Sequence, residues 1–293
     1  MIVSSIVGKL HDLMLNTDAD ELVVNGSRGI FVFGQFGVKS IDIQVCTLDE
    51  MIEAFRQLAW EHNLRLDALV PTCGGVIRSL SLRWHVVTAP VSEDAIVVSL
   101  RRLRDSSFDL GQFSVSSESI ALVENAIVNS NPILFSGSTG SGKSSFLLGV
   151  LKKYFLQRRV IILETLSELP LMSSRWTRFT ERTAHSNGKG EFSLERIAKE
   201  SLRMRPETIV MGELRGHEVN TFLDLCASGH GSSLATIHSS NPKMALKRMI
   251  MLSSEKVADL IKGMSMTVVH LERRILQESN QVTFSAEAQA FCI

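Results

Sequence analysis

This chain carries no net charge: 31 basic side chains meet 31 acidic ones across 293 residues. No whole-body field therefore draws it to nucleic acid, and no basic stripe interleaved with aromatics suggests a single-strand channel. No apolar run reaches the length of about eighteen residues needed to span a bilayer, so a membrane role is expected to come through partners. The four cysteines, Cys46, Cys73, Cys226 and Cys292, are scattered without C-x-x-C pairs or metal-ligand spacing. That argues against a disulfide framework or a zinc site and for reduced thiols in the cytoplasm. The start, Met1 to Leu10, is apolar but lacks a basic leader and soon meets His11 and Asp12, so a signal peptide is not expected. Internal repeats and low-complexity tracts are missing too.

What is present starts with Gly137-Ser-Thr-Gly-Ser-Gly-Lys-Ser144, entered from the apolar run Ile133-Leu134-Phe135 and left into Ser145-Phe146-Leu147. This is a complete Walker A sequence between a strand and a helix. A triphosphate has to be wrapped by backbone N–H groups, and only residues without bulky side chains let the backbone come that close. Gly137, Gly140 and Gly142 meet that need, with Ser138, Thr139, Ser141 and Ser145 completing the cradle. The helix behind it points unsatisfied N–H groups and a positive dipole end at the anion. Lys143 adds a point charge for the outer phosphates, and Ser144 a hydroxyl ligand for Mg²⁺, so ATP and Mg²⁺ are the expected ligands.

Length suggests two domains. In the first hundred residues, short strands are expected at Leu22–Val24, Ile30–Phe33 and Ile41–Ile43. The capping box Thr47-Leu-Asp-Glu50 opens an amphipathic helix to about Asn63, and further strands follow at Ile77–Trp84 and Ala95–Leu100, with turns at Gly74-Gly75 and Pro90. Residues 1–103 read as a small α+β domain and the polar stretch 104–117 as a linker. From 118 to 293 strands and helices alternate, which predicts a mostly parallel α/β sheet covered by helices, with ligands at the carboxyl ends of its strands. At Thr208-Ile-Val-Met-Gly-Glu-Leu-Arg-Gly216 a buried-type strand ends in Glu213, a Walker B position able to hold the Mg²⁺ water shell or orient a water.

Beyond these motifs stand Glu164-Thr-Leu-Ser-Glu168, Leu202-Arg-Met-Arg-Pro206 leading into Walker B, and Gly229-His-Gly-Ser-Ser-Leu-Ala-Thr-Ile-His238. With them the chain resembles the ATPases of the type II and type IV secretion superfamily, and most closely, through Glu181-Arg182 and Gly188-Lys-Gly-Glu191, the CpaF-type branch serving tight-adherence pili. The resemblance implies an N-terminal sensor-like domain joined to a RecA-like P-loop domain, in a hexameric motor that powers pilus assembly or secretion, peripheral to the inner membrane through a platform protein. It implies that Glu164 and Glu168 form the acidic box near the attacking water and that Glu213 is the Walker B carboxylate. His238 would sense the γ-phosphate, with His230 opening the same box. Arg83, Arg101, Arg102, Arg178 and Arg182 are candidates for arginines approaching the nucleotide, and Arg203 and Arg205 match those before Walker B. Such an arginine neutralises charge that appears in the transition state.

Two departures keep other readings open. Thr165 stands where the family usually has aspartate, and Gly231 follows His230. Slow hydrolysis, or a nucleotide-binding regulatory subunit with little turnover, is the first alternative. A RecA-type nucleic-acid motor is the second, disfavoured by the charge balance. The remaining histidines, His11, His62, His85, His185, His217 and His270, read as surface or locally satisfied groups.

Overall fold

The computed structural model describes residues 5–34, 37–103, 110–182, 190–230, 232–260, 263–276 and 281–292. Gly188, Lys189, Gly231, His185 and residues 104–109 of the expected linker lie outside them. Contacts divide the chain into two compact units: Met1–Asp105 with Ala184–Gly190, and Ser106–Thr183 with Glu191–Ile293.

The first unit is a six-stranded antiparallel sheet backed by two helices. Its order is β3 (Gly37–Ile41), β2 (Ile30–Gly34), β1 (Glu21–Asn25), β6 (Ile96–Arg102), β5 (Leu82–Thr88), β4 (Thr72–Ile77). Helix α2 (Leu48–Glu61) starts at the expected capping box: the Thr47 N–H donates to Glu50 Oε2 at 2.8 Å and the Glu50 N–H to Thr47 Oγ1 at 3.3 Å. Its apolar stripe, Met51, Phe55, Leu58 and Ala59, packs on Leu22, Trp84 and Leu100 of the sheet. Burial of each large side chain contributes about 1.5–3 kcal/mol.

Four features of this unit differ from the sequence expectation. The strand expected at Ile77–Trp84 is broken by a 3₁₀ turn at Arg78–Leu80, so its ends belong to β4 and β5. Helix α1 (Ser5–Asn16) packs Val7, Leu10 and Met14 into the core; that three-residue stripe is too narrow to stand out in an apolar stretch. The strand expected at Ile41–Ile43 lies earlier, at Gly37–Ile41. Gly74-Gly75 is strand rather than turn. There β4 passes so close over β5 that a Cβ on Gly74 would sit 2.8 Å from the Trp84 carbonyl oxygen, and one on Gly75 3.0 Å from Trp84 Nε1. The two glycines serve close approach, which composition alone cannot distinguish from a turn.

The second unit is an eight-stranded sheet, mostly parallel, with helices packed on it. Its order is β10 (Trp176–Thr180), β9 (Val160–Glu164), β11 (Thr208–Leu214), β12 (Leu234–His238), β8 (Ile133–Gly137), β13 (Ser265–Leu276), β14 (Gln281–Cys292), β7 (Ser114–Val115). The six strands from β10 to β13 run parallel, and β14 returns antiparallel to β13. Strands β8 and β9 are buried along their whole length, as expected where helices cover both faces. One apolar cluster gathers Phe135, Ile162 and Val210 with helices α3 (Ser117–Val128) and α4 (Lys143–Tyr154). The other gathers Leu134, Ile161 and Met211 with α5 (Leu194–Ser201), α6 (Glu218–Ala227) and α7 (Pro242–Leu252).

Residues 110–117, expected to be linker, belong to this unit. Leu110–Gln112 form a 3₁₀ turn, and Ser114 and Val115 pair with Ser285 and Ala286 of β14. Gly149 of α4 leaves room for that turn, since a Cβ there would stand 3.0 Å from Leu110 Cδ2. A two-residue strand stabilised by pairing with residues about 170 positions away has no local pattern to read.

Candidate functional site

Because β9, β11, β12 and β8 are parallel, their carboxyl ends meet at one edge of the sheet, and the loops there hold Glu164, Glu213, His238 and the glycine-rich loop. The loop leaves β8 through Gly137 at φ 149°, and Gly140 and Gly142 take φ 75° and 92°. A Cβ on Gly137 would collide with the Leu271 carbonyl oxygen and Ser141 Oγ. The backbone therefore follows a path only glycine permits. Ser138, Thr139, Gly140 and Ser144 are exposed along the loop, Ser145 is half-buried, and Ser141 is buried with its hydroxyl lacking a partner among the described residues. Lys143, the first residue of α4, is buried and curls back, its ammonium donating to the carbonyls of Gly137 at 3.0 Å and Ser138 at 2.7 Å.

From Lys143 a polar chain runs across the edge. His238, in register with Gly137 across the β12–β8 ladder, places Nδ1 3.4 Å from Lys143 Nζ and Nε2 3.0 Å from Glu213 Oε1. Lys143 can only donate, so these partners assign the neutral tautomer with the proton on Nε2. The electrostatics agree: burial, then the Lys143 charge, hold His238 below the ordinary histidine value despite the Glu213 carboxylate. Glu213 accepts at its other oxygen from the Arg215 guanidinium at 2.6 Å. Burial pushes the Glu213 carboxyl up, but the Arg215 hydrogen bond and charge outweigh it, with His238 and Lys143 adding, and the group sits below its usual range. It is ionised at neutral pH.

Glu213 reaches this chain through an irregularity. Met211 pairs with Ala235 and Leu214 with Ile237, so β11 has one residue more than β12 between those pairs. Strict alternation would put Glu213 on the Met211 side of the sheet. The bulge shifts the phase, so that Leu214 joins Met211 in the same apolar cluster and Glu213 is freed to turn toward the other face, where α4 packs. The Thr236 hydroxyl holds the bulge by donating to the Gly212 carbonyl at 2.6 Å. Beyond it, the N–H groups of Arg215 and Gly216 both donate to Glu218 Oε1, the latter at 2.8 Å. Arg215, Glu218 and Thr236 were not singled out from sequence as part of the site; the spacing Glu213-x-Arg215 was the only signal.

The acidic box is arranged differently from the expectation. Glu164 and Arg178 form a buried ion pair, Oε2 to Nε 2.9 Å, with side chains 5 % and 9 % exposed. The other Glu164 oxygen accepts from the Leu169 and Glu168 N–H groups at 3.0 and 3.2 Å. Burial is the largest influence on Glu164 and, against those donors and Arg178, pushes its carboxyl up to about 7. Arg178 also donates to Ser167 Oγ and the Leu169 carbonyl. Glu164 and Arg178 are thus engaged with each other and with the loop after β9. Glu168 is half-buried in that loop, where its charge acts on Arg215. Arg182 is exposed beyond the carboxyl end of β10, bridging Phe192 through its backbone.

Two of the expected residues, His230 and Arg203, stand at the opposite, amino edge of the same sheet. His230 precedes β12 and His238 ends it, so the whole strand, roughly 13 Å over its four residue steps from Leu234 to His238, lies between them along the chain. The His230 N–H caps α6 through the Leu225 carbonyl, so the chain places His230 at the amino end of β12 and not beside the glycine loop where the sequence reading expects it. Arg203, also at the amino edge, pairs with Glu200 at 2.9 Å. Arg101 lies in the first unit, 3.5 Å from Glu21, in register with Arg83. His270 is a buried, locally satisfied histidine bonded to Ser136 Oγ at 2.9 Å.

A polyphosphate with Mg²⁺ fits these residues. The cradle has no room for side chains, a buried hydroxyl is left over, and an ammonium rests on carbonyls it can exchange for anionic oxygens. Among the described residues no group of three or more His, Cys, Asp or Glu could hold a metal ion, so Mg²⁺ would draw ligands from the phosphates as well as from Ser144 and the Glu213 water shell.

A RecA-like sheet with a P-loop and a carboxylate at the next-but-one strand end defines a P-loop nucleotide-binding protein. Residues 67–291 match the Type II/IV secretion system protein family, and the chain belongs to that family. Over 251 residues it is 27 % identical to a putative conjugal transfer protein of Mycobacterium tuberculosis, covering 83 % of this chain and 71 % of the relative. Over 137 residues it is 31 % identical to protein VirB11 of Rhizobium radiobacter, covering 47 % and 40 %. The fold is that of the Legionella pneumophila ATPase DotB, with TM-score 0.69, 15 % identity and coverage of 98 % and 81 %. It is likewise that of the pilus retraction motor PilT with bound ADP, with TM-score 0.67, 15 % identity and coverage of 96 % and 81 %. Among the described residues no helix is long and apolar enough to cross a membrane.

Proposed function

We propose that this protein is a motor ATPase that hydrolyses Mg-ATP to drive pilus assembly or secretion, working as a hexamer beside an inner-membrane platform protein. The observation that carries the reading is the continuous polar chain from Lys143 through His238 to Glu213 at the mouth of the glycine cradle. A neutral histidine bonded to both the phosphate-binding lysine and the Walker B carboxylate changes partners when a γ-phosphate takes the lysine. That change gives the site a means of registering whether the last phosphate is present. Mg²⁺ when bound would neutralise charge on the phosphates. The protein's own part is to orient: Glu213, held ionised by Arg215, accepts from the water shell, and the backbone of Gly137 to Gly142 fixes the phosphates.

The family and the tight-adherence motifs Glu181-Arg182 and Glu191 support the pilus reading, and a cytoplasmic location follows from it. A ring suits a site whose own arginine, Arg178, is occupied by Glu164, because a neighbour can supply the missing cation. The test is Mg²⁺-dependent phosphate release by wild type beside Lys143→Ala and Glu213→Gln. Both variants should fall at least a hundredfold (~3 kcal/mol), with Glu213→Gln still binding nucleotide. Background release unchanged by either would favour a nucleotide-holding regulatory subunit, which the Glu164–Arg178 engagement also fits. Light scattering that finds only monomers with Mg²⁺ and an ATP analogue at high protein concentration would remove the hexamer.

A further inference from the structure

The second unit contains a partly open cavity of about 320 Å³ that no step of the proposed reaction uses. Leu110, Phe113, Val123, Phe146, Val150 and Val269 line it, so its walls come from the 3₁₀ turn, α3, α4 and β13. Those residues belong to or pack on the same apolar cluster as the sheet, and among the described residues no side chain closes the space they border. An apolar space of this size held open beside a core forgoes the dispersion contacts its walls would make with an occupant. Volume and lining match small-molecule pockets, which are apolar with few polar groups placed at one side.

The polar side here is Lys153 with Tyr154, both lining the cavity from the last turn of α4. Lys153 lies 4.7 Å over the Tyr154 ring and 3.7 Å from Glu124, and the Tyr154 hydroxyl donates to Glu124 at 2.6 Å. Lys153 and Glu124 are each about half exposed, and such a pair is held by less than about 1 kcal/mol. An anion at the cavity mouth can therefore take the ammonium cheaply, while Glu124 keeps the tyrosine.

We propose that this cavity is a binding site, separate from the nucleotide cradle, for a small molecule with an apolar, ring-sized body and one anionic group that pairs with Lys153. The body lies between α3 and α4 and the acid points out past Tyr154. The site runs along α4 from Phe146, one turn after Lys143, to Lys153 and Tyr154 in the last turn, so its anion-pairing end is two to three turns from the helix start that holds the phosphates.

Two dyes sharing one apolar body test this on the full-length protein: 1-anilinonaphthalene-8-sulfonate and its uncharged parent, N-phenyl-1-naphthylamine. Both should bind with one site per chain, and saturating Mg-ATP should displace neither. Lys153→Ala should weaken the sulfonate about fivefold and leave the parent unchanged, as expected for loss of one exposed charge contact. Val150→Trp should abolish both while circular dichroism and binding of a fluorescent ATP analogue stay as in wild type; if that variant does not fold, the Lys153→Ala contrast between the dyes decides alone. Displacement by Mg-ATP would place the cavity in the nucleotide site and overturn the proposal. So would equal weakening of both dyes by Lys153→Ala, or dye binding that survives a folded Val150→Trp.

Discussion

Removing Arg178 should destabilise the second unit in a way that depends strongly on pH. Burial raises Glu164 from 4.5 to about 7, so the folded state holds this proton more tightly than the unfolded one. The stabilisation from the raised value is complete below 4.5 and is lost as pH rises through 7. In Arg178→Met the carboxyl loses the one cation that lowers it, and its value climbs further. Above neutrality the variant then avoids a bare buried charge by keeping Glu164 protonated. At pH 8.5 that costs about 1.4 kcal/mol for each of the roughly 1.5 pH units above 7, a ceiling of about 2 kcal/mol. At pH 5.5 Glu164 is already protonated in both proteins and this part of the penalty vanishes. What remains at both pH values is the loss of the Arg178 bonds to Ser167 and Leu169.

Calorimetry should therefore show the Tm of the second unit falling about 4–8 °C further at pH 8.5 than at pH 5.5, at about 2–4 °C per kcal/mol for a unit of this size. The double variant Glu164→Gln/Arg178→Met should lose this pH dependence and recover much of the stability, since replacing a whole buried pair is far milder than halving it. An equal Tm loss at both pH values would refute the reasoning, because Glu164 would then not be the group responding.

Three further outcomes follow from the same edge of the sheet. Gly137→Ala should weaken binding of a fluorescent ATP analogue more than tenfold (over ~1.4 kcal/mol), because the new Cβ meets Leu271 and Ser141; wild-type affinity would show the cradle is more pliable than drawn. Turnover should decline on acidification with a midpoint below 6.5, as His238 gains a second proton beside Lys143, and His238→Gln should lack that acid limb. Arg215→Ala should cut turnover several-fold and raise the Mg²⁺ concentration needed, with Arg215→Lys recovering part; a loss of stability with unchanged Mg²⁺ dependence would make Arg215 merely structural.

Local pattern determined a good deal of this protein. The glycines and lysine of residues 137–144 need their neighbours on the chain to form a phosphate cradle, and that sequence of types admits few other uses. The alternation after residue 118 implies parallel strands, and parallel strands bring their carboxyl ends together, so the sequence alone puts Glu164, Glu213 and His238 at one edge. Tertiary structure alone decided which way those side chains turn. The bulge that lets Glu213 leave the Met211 face exists only because two strands of unequal length pair, and each strand's sequence is silent about the other. Glu164 and Arg178 are fourteen positions apart and meet because β9 and β10 lie side by side, where exclusion of water ties them together. His230 shares a short motif with His238, yet a strand separates them, because nearness along an extended chain is distance in space.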